Sequence, residues 1–293
     1  MSYRINCLPN KIGGNNENKS VIVFVHGLGG GRETWLELSN FLNQNWSEDF
    51  SFDVKYYHPY NERSIFNRLF VFLKESFPLG SYFLFLYRVI VGEGIDVLAK
   101  GLDSYLEVNC YNYDNIMLVG HSMGGLISRK MLVDQLEKKH FSEVDKLLTY
   151  ASPHIGSHLA NMFGFTLQIR QMNFFKSKFL ESLNSLWYSL SAKDHVNPTY
   201  VIATKDKIVN SDSASGIDVD PHIVYAIGQS HSSLIKPNNI DDIGYSILLK
   251  CIFETFIEVE LSSMGALDGF VSFGDDDDEI TDDLDDIPGI PDF

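Results

Sequence analysis

The sequence predicts an α/β fold: a mostly parallel, twisted sheet flanked by helices on both faces. Three observations carry this. Short β-branched runs alternate along the chain with stretches whose apolar residues recur at helical spacing. Several of the runs are continuously apolar, as strands buried on both faces must be. Apolar residues make up 44% of the chain, ample for a buried core.

The elements follow in order. Residues 10–19 are rich in Gly, Asn and Lys and read as a turn or loop. Residues 20–26 are a buried strand, and 32–46 a helix with Trp35, Leu38, Phe41, Leu42 and Trp46 on one face. Residues 52–57 alternate like a strand. Residues 94–108 place Ile95, Leu98, Leu102 and Leu106 on one helical face. Ile116 to Val119 is a strand, 126–139 a helix, 144–150 a strand, 199–204 and 222–227 two further strands, and 241–259 a last helix. No internal repeat is present.

The length of 293 residues suits one large domain, here residues 1–261, followed by a tail at 262–293. Two insertions are expected to form a helical cap. Residues 62–93 are aromatic-rich but broken by Lys74, Glu75, Pro78 and Arg88. A bilayer span needs about 20 nearly unbroken apolar residues, so this stretch reads as helices on the core, or as an acyl-binding wall or lid. Residues 158–195 interleave Phe, Leu and Met with Arg170, Lys176 and Lys178, a pattern of a cap, of core helices, or of a surface helix on anionic lipid.

The net charge of −16 is unevenly spread. Eleven acids and no Lys or Arg lie in residues 262–293, leaving −5 for the body. The tail is a like-charge block that reads as disordered. Its apolar end, Ile287 to Phe293, suits docking on a basic protein partner. Nucleic-acid binding is excluded because it needs a basic footprint. Three dispersed cysteines, Cys7, Cys110 and Cys251, argue against a disulfide framework and a zinc site. The first residues lack a charged region followed by an apolar one, so a cytoplasmic location is expected.

The chemistry lies in Gly120-His121-Ser122-Met123-Gly124-Gly125, directly after the apolar run ending at Val119. A G-x-S-x-G between strand and helix is a sharp turn that holds its serine exposed above the sheet; Gly120 and Gly124 relieve the crowding at its corners. His26-Gly27-Leu28-Gly29-Gly30 follows an early strand. Acyl transfer passes through an oxyanion that needs fixed N–H donors, and those of Met123 and Leu28 are the candidates. His26 precedes the serine in the chain and is expected to shape the loop rather than act as base. Asp206 follows the strand at 199–204 and suits the acid that orients a histidine; Asp194, Asp212, Asp218 and Asp220 are its rivals. His231 follows the last strand and suits the base, giving the order Ser122, Asp206, His231. His222 falls at the other end of that strand. His58, His140, His154, His158 and His195 read as surface or structural.

These segments resemble the α/β-hydrolase lipases and serine esterases, especially a branch similar to GPI inositol-deacylases and an associated group of serine esterases. The carrying residues are His26 to Gly30, Tyr113 to Leu126, and Ser152-Pro153-His154-Ile155-Gly156-Ser157, which is similar to the T-P-H-x-G-S stretch of those enzymes with Ser152 in place of threonine. The resemblance covers residues 18–260. It implies an α/β-hydrolase fold and a Ser-His-Asp carboxylic ester hydrolase with no metal and no organic cofactor, and it makes His154 a supporting residue beside Gly27 and His121. The aromatic insertions point to a lipid or other apolar acyl ester, with peripheral membrane contact. Two alternatives stand beside this: a non-catalytic binding module of the same fold, and a lipase effector acting on foreign membranes.

Overall fold

Six apolar runs form the parallel part of a seven-stranded sheet in the order β1-β3-β2-β4-β5-β6-β7. The computed structural model describes residues 10–12, 19–28, 30–46, 51–58, 93–157, 167–173, 177–215 and 222–257. The strands are β1 (Asn10–Ile12), β2 (Ser20–Val25), β3 (Phe52–Tyr57), β4 (Asn115–His121), β5 (Lys146–Tyr150), β6 (Pro198–Ala203) and β7 (Val224–Ile227). The helices are α1 (Glu33–Asn45), α2 (Ile95–Asn109), α3 (Met123–Lys139), α4 (Leu167–Gln171), α5 (Lys178–Ser189), α6 (Ala192–Val196), α7 (Ser211–Ala214) and α8 (Ile243–Ile252), the last running into a π-helical turn, Phe253–Ile257.

The period of two along each strand divides the core. Val21, Val23 and Val25 of β2, with Ile116 and Leu118 of β4, face α2, α3, α5 and α6. Ile22 and Phe24, with Met117 and Val119, face α1 and α8. Every residue of β2 is buried, so each apolar side chain contributes about 1.5–3 kcal/mol and a one-residue slip would exchange the two faces. Val23 pairs with Lys55 on one side and Leu118 on the other, which fixes the central register.

Residues 10–12 depart from the expected loop: they form an antiparallel edge strand, Asn10 opposite Val54 and Ile12 opposite Phe52. Three residues are too few to show an alternation. The helix expected from residue 126 begins at Met123, immediately after the candidate serine. The helix expected over 241–259 starts at Ile243, where the Asp242 carboxylate caps the Gly244 N–H, and its regular turns end at Ile252.

The insertion at 62–93, apart from Glu93, and the tail at 262–293 lie outside the described residues. Of the insertion at 158–195, α5 buries Leu180, Leu183 and Trp187 in the core shared with α3. Helix α4 is tied to the start of α2: Gln171 accepts from the Ile95 N–H and donates to Asp96, and Gln168 donates to the Glu93 carbonyl. Among the described residues no helix is long and apolar enough to cross a membrane. Cys110 and Cys251 are free and buried, and burial pushes each thiol up to about 11.

Candidate active site

The site is assembled at the carboxyl ends of β2, β4, β6 and β7. β4 ends at His121 and α3 starts at Met123, so Ser122 alone makes the turn. Its φ of 55° and ψ of −127° lie outside the ordinary regions for a side-chain-bearing residue, a strain of about 1–3 kcal/mol that the surroundings must hold. The Ser122 N–H donates to the Tyr150 carbonyl at 2.9 Å, and the Ser122 carbonyl accepts from Gly125 at 3.1 Å. Glycine is required on both sides. A Cβ on Gly120 would lie 2.7 Å from the Gly125 backbone, and one on Gly124 would lie 2.1 Å from the Val25 carbonyl oxygen.

The loop after β2 lies against this elbow. The position of a Cβ on Gly27 is 3.3 Å from the Met123 nitrogen. Among the described hydrogen bonds, neither the Met123 nor the Leu28 N–H has an acceptor. The Met123 N–H opens a 17-residue helix, whose dipole adds to its attraction for negative charge. His26 is buried and sits within 2.9 Å of the Gly27 carbonyl through Nδ1, which therefore donates. This contact lies within the loop that the sequence analysis expects His26 to shape.

The pairing of β6 with β7 continues past their ends, with Thr204 N–H on the Ile227 carbonyl and Lys205 N–H on the Gln229 carbonyl. This brings the loop at 204–209 beside the loop at 228–232. His231 Nδ1 stands 2.7 Å from Asp206 Oδ2. Because a carboxylate only accepts, Nδ1 carries a proton, and in the neutral ring Nε2 has the lone pair. Asp206 Oδ1 accepts from the N–H groups of Ile208 and Val209 at 2.7 and 3.0 Å. Burial pushes the Asp206 carboxyl up, but these hydrogen bonds and the charge of His231 outweigh it, so its pKa is lowered. The Asp206 side chain is 1% exposed and that of His231 14%.

Among the described hydrogen bonds none joins Ser122 to His231. They are linked through His121, whose ring lies 4.8 Å from that of His231. His121 Nε2 is 2.9 Å from the His231 carbonyl oxygen. Burial, then the charge of His231, pushes the His121 imidazole down to about 3.

His154 is a different kind of histidine. It is fully buried, with Nδ1 3.2 Å from Arg129 Nη1 and Nε2 3.1 Å from Thr149 Oγ1. Burial, then the Arg129 charge, lowers its pKa well below the ordinary value, so it is a neutral strut. Arg129, buried on α3, also donates to Asn184 of α5 and stacks 4.5 Å over Trp187. Sequence reasoning missed Arg129; the available signal was a lone cation on an otherwise apolar face of α3. Asp194 falls in α6 and Asp212 in α7, and among the described hydrogen bonds neither is joined to His231; Asp218, Asp220 and His158 lie outside the described residues, as does Gly29. His222 precedes β7, at the opposite end of the sheet.

The PGAP1-like alpha/beta domain family model matches residues 16–216, a span that holds the elbow and Asp206 and stops before His231. No curated protein matches the chain. Two of the solved structures that match it illustrate the shared fold. The lipase BlEst2 of Bacillus licheniformis in its mature form is 16% identical, with a TM-score of 0.54 over 80% of this chain and 92% of that one. The phospholipase PlaB from Legionella pneumophila is 12% identical, with a TM-score of 0.60 over 86% of this chain and 63% of that one.

Proposed function

The chain belongs to the PGAP1-like alpha/beta domain family, and on that premise we propose that it is a serine hydrolase that cleaves carboxylic esters of lipids. The observation that carries the reading is the 2.7 Å pairing of His231 Nδ1 with the buried Asp206, beside the strained Ser122 elbow.

In this mechanism His231 Nε2 takes the Ser122 hydroxyl proton as Oγ attacks the ester carbonyl carbon. Asp206 holds the ring in the Nδ1–H tautomer and stabilises the imidazolium that forms. The carbonyl oxygen becomes an oxyanion between the Met123 and Leu28 N–H groups, each worth about 10²–10³ in rate. Collapse of the tetrahedral intermediate breaks the bond to the alcohol, which leaves with the proton from His231. Water then adds to the acyl-enzyme, giving its proton to Nε2, and the second collapse frees the carboxylic acid and returns the proton to Ser122 Oγ. Support for a lipid substrate is the family and the shared fold with a lipase and a phospholipase. A membrane surface is the partner this substrate implies.

The test is hydrolysis of p-nitrophenyl esters from acetate to palmitate by the full chain, with and without phosphatidylcholine vesicles and with Ser122→Ala as control. Turnover that needs Ser122 and rises with chain length supports the reading. Turnover of short esters only would overturn the lipid substrate, and turnover indifferent to Ser122 would overturn the mechanism.

A further inference from the structure

His121 does more than fill the variable position of the elbow motif. It is the last residue of β4, next to Ser122, and 7% exposed. Its Nε2 lies 2.9 Å from the backbone carbonyl oxygen of His231, 110 residues along the chain. A carbonyl can only accept, so the proton is on Nε2 and the ring is a donor of fixed tautomer. The ring is held on two further sides, with His231 at 4.8 Å and the edge of Trp35 at 6.2 Å and 87°. Trp35 is itself fully buried in α1. The donor is therefore anchored to the rigid core, not to the loop it serves.

The loop bearing His231 needs such an anchor. It is tied at Gln229, whose N–H donates to the Ile227 carbonyl and whose side chain donates to Asp242. It is tied again where the Ser230 N–H donates to Ser233 Oγ. Of these bonds none reaches β4, the strand that carries Ser122. Asp206 fixes the His231 ring but comes from the loop after β6. The His121 bond alone among the described hydrogen bonds of His231 connects it to the nucleophile's own strand.

Resting on the reading of Ser122 and His231 as nucleophile and base, we propose that His121 is a positioning residue that sets His231 relative to Ser122 by donating Nε2–H to the His231 carbonyl. The polar donor has a clear alternative: a phenylalanine would fill the same space between Trp35 and His231 but leave the carbonyl unpaired. Glutamine places a nitrogen donor the same number of bonds from the backbone and restores the contact.

The test compares wild type, His121→Phe and His121→Gln, all as full chains with thermal melts to confirm folding. Two readouts are used. The first is the rate of Ser122 labelling by a fluorophosphonate together with kcat and KM on p-nitrophenyl butyrate. His121→Phe should lower labelling and kcat about tenfold to a hundredfold with KM unchanged, the size expected for a misplaced catalytic group, and His121→Gln should recover most of the loss. The second readout is independent of turnover: the downfield NMR resonance of the His231 Nδ1 proton on Asp206. It should be sharp in wild type and His121→Gln and broadened or lost in His121→Phe. A wild type that the fluorophosphonate leaves unlabelled, but whose resonance is sharp and is lost in His121→Phe, would overturn the hydrolase reading and leave the positioning role standing. Equal resonances and equal rates in His121→Phe would overturn the positioning role, as would failure of His121→Gln to rescue a folded protein. If both variants unfold, His121→Asn, a shorter donor, gives the same comparison against His121→Leu.

Discussion

Gly27 leaves room for Ser122: a Cβ built on Gly27 would stand 2.8 Å from the Ser122 Cβ and 2.9 Å from the His121 carbonyl oxygen. The neighbours are backbone or the serine's own Cβ, so none can swing aside. Gly27→Ala should therefore push the loop after β2 off the elbow and carry the Leu28 N–H with it. The expected outcome is a loss of about 10² in kcat and about 1–3 kcal/mol in stability from overpacking. Paired kinetics and urea unfolding check it; an unchanged kcat would show that the loop does not shape the site.

Asp206→Asn tests the tautomer. Asparagine keeps the size of the side chain and loses the charge, and it can present an N–H to His231 Nδ1, which moves the ring proton to Nε2. That nitrogen then cannot accept from Ser122. A fall of about 10³–10⁴ in kcat with little change in KM is expected. The Ile208 and Val209 N–H groups remain satisfied if the amide oxygen faces them, so the melting temperature should move little. A matching loss of stability would make Asp206 a loop-holding residue instead.

Much of the candidate site was legible because the proposed chemistry needs residue types at fixed places. The elbow needs Gly120, Ser122 and Gly124 in sequence, and chain order then directs attention to an acid after β6 and a histidine after β7. What stayed hidden are contacts between distant residues with no pattern of their own. Strand β1 is three residues long. His121 meets the His231 carbonyl across 110 residues, and Lys146 meets Glu254 across 108. The sequence marks His121 as a supporting residue without naming its partner, and the π-helical turn carrying Glu254 has no signature distinct from a continuing helix.

Stability should depend on pH through two buried neutral histidines. His121 is pushed down to about 3, and His154 is lowered well below its ordinary value, each chiefly by burial. Their folded pKa values lie below the unfolded value of about 6.5. The unfolded chain therefore binds more protons below that pH, and stability present above it is lost as pH falls. Each histidine that stays neutral in the fold while it is protonated in the unfolded chain adds at most about 1.4 kcal/mol per pH unit to that slope. Urea unfolding of His154→Gln at pH 5 and pH 7 should show a slope smaller by about one proton; an unchanged slope would place a proton on His154 in the fold.

Lys146 is 3% exposed and pairs with Glu254 at 3.2 Å, while Lys250 approaches the same carboxylate at 3.7 Å. Glu254→Gln leaves the Lys146 charge buried beside a neutral amide. Because Glu254 is one-third exposed, water softens the penalty to about 1–3 kcal/mol. Lys146→Met removes the buried charge itself and leaves Glu254 with Lys250, so it should cost less than Glu254→Gln. Unfolding midpoints of the two variants decide the order, and the reverse order would contradict the burial argument.

The proposed chemistry rests on Ser122 as a nucleophile activated by His231. The most direct measurement is mass spectrometry of the full chain after reaction with a fluorophosphonate, followed by peptide mapping. One adduct on the peptide containing Ser122, absent from Ser122→Ala and strongly slowed in His231→Ala, is the expected result. An adduct on another serine, or none under conditions where the protein is folded, would contradict it.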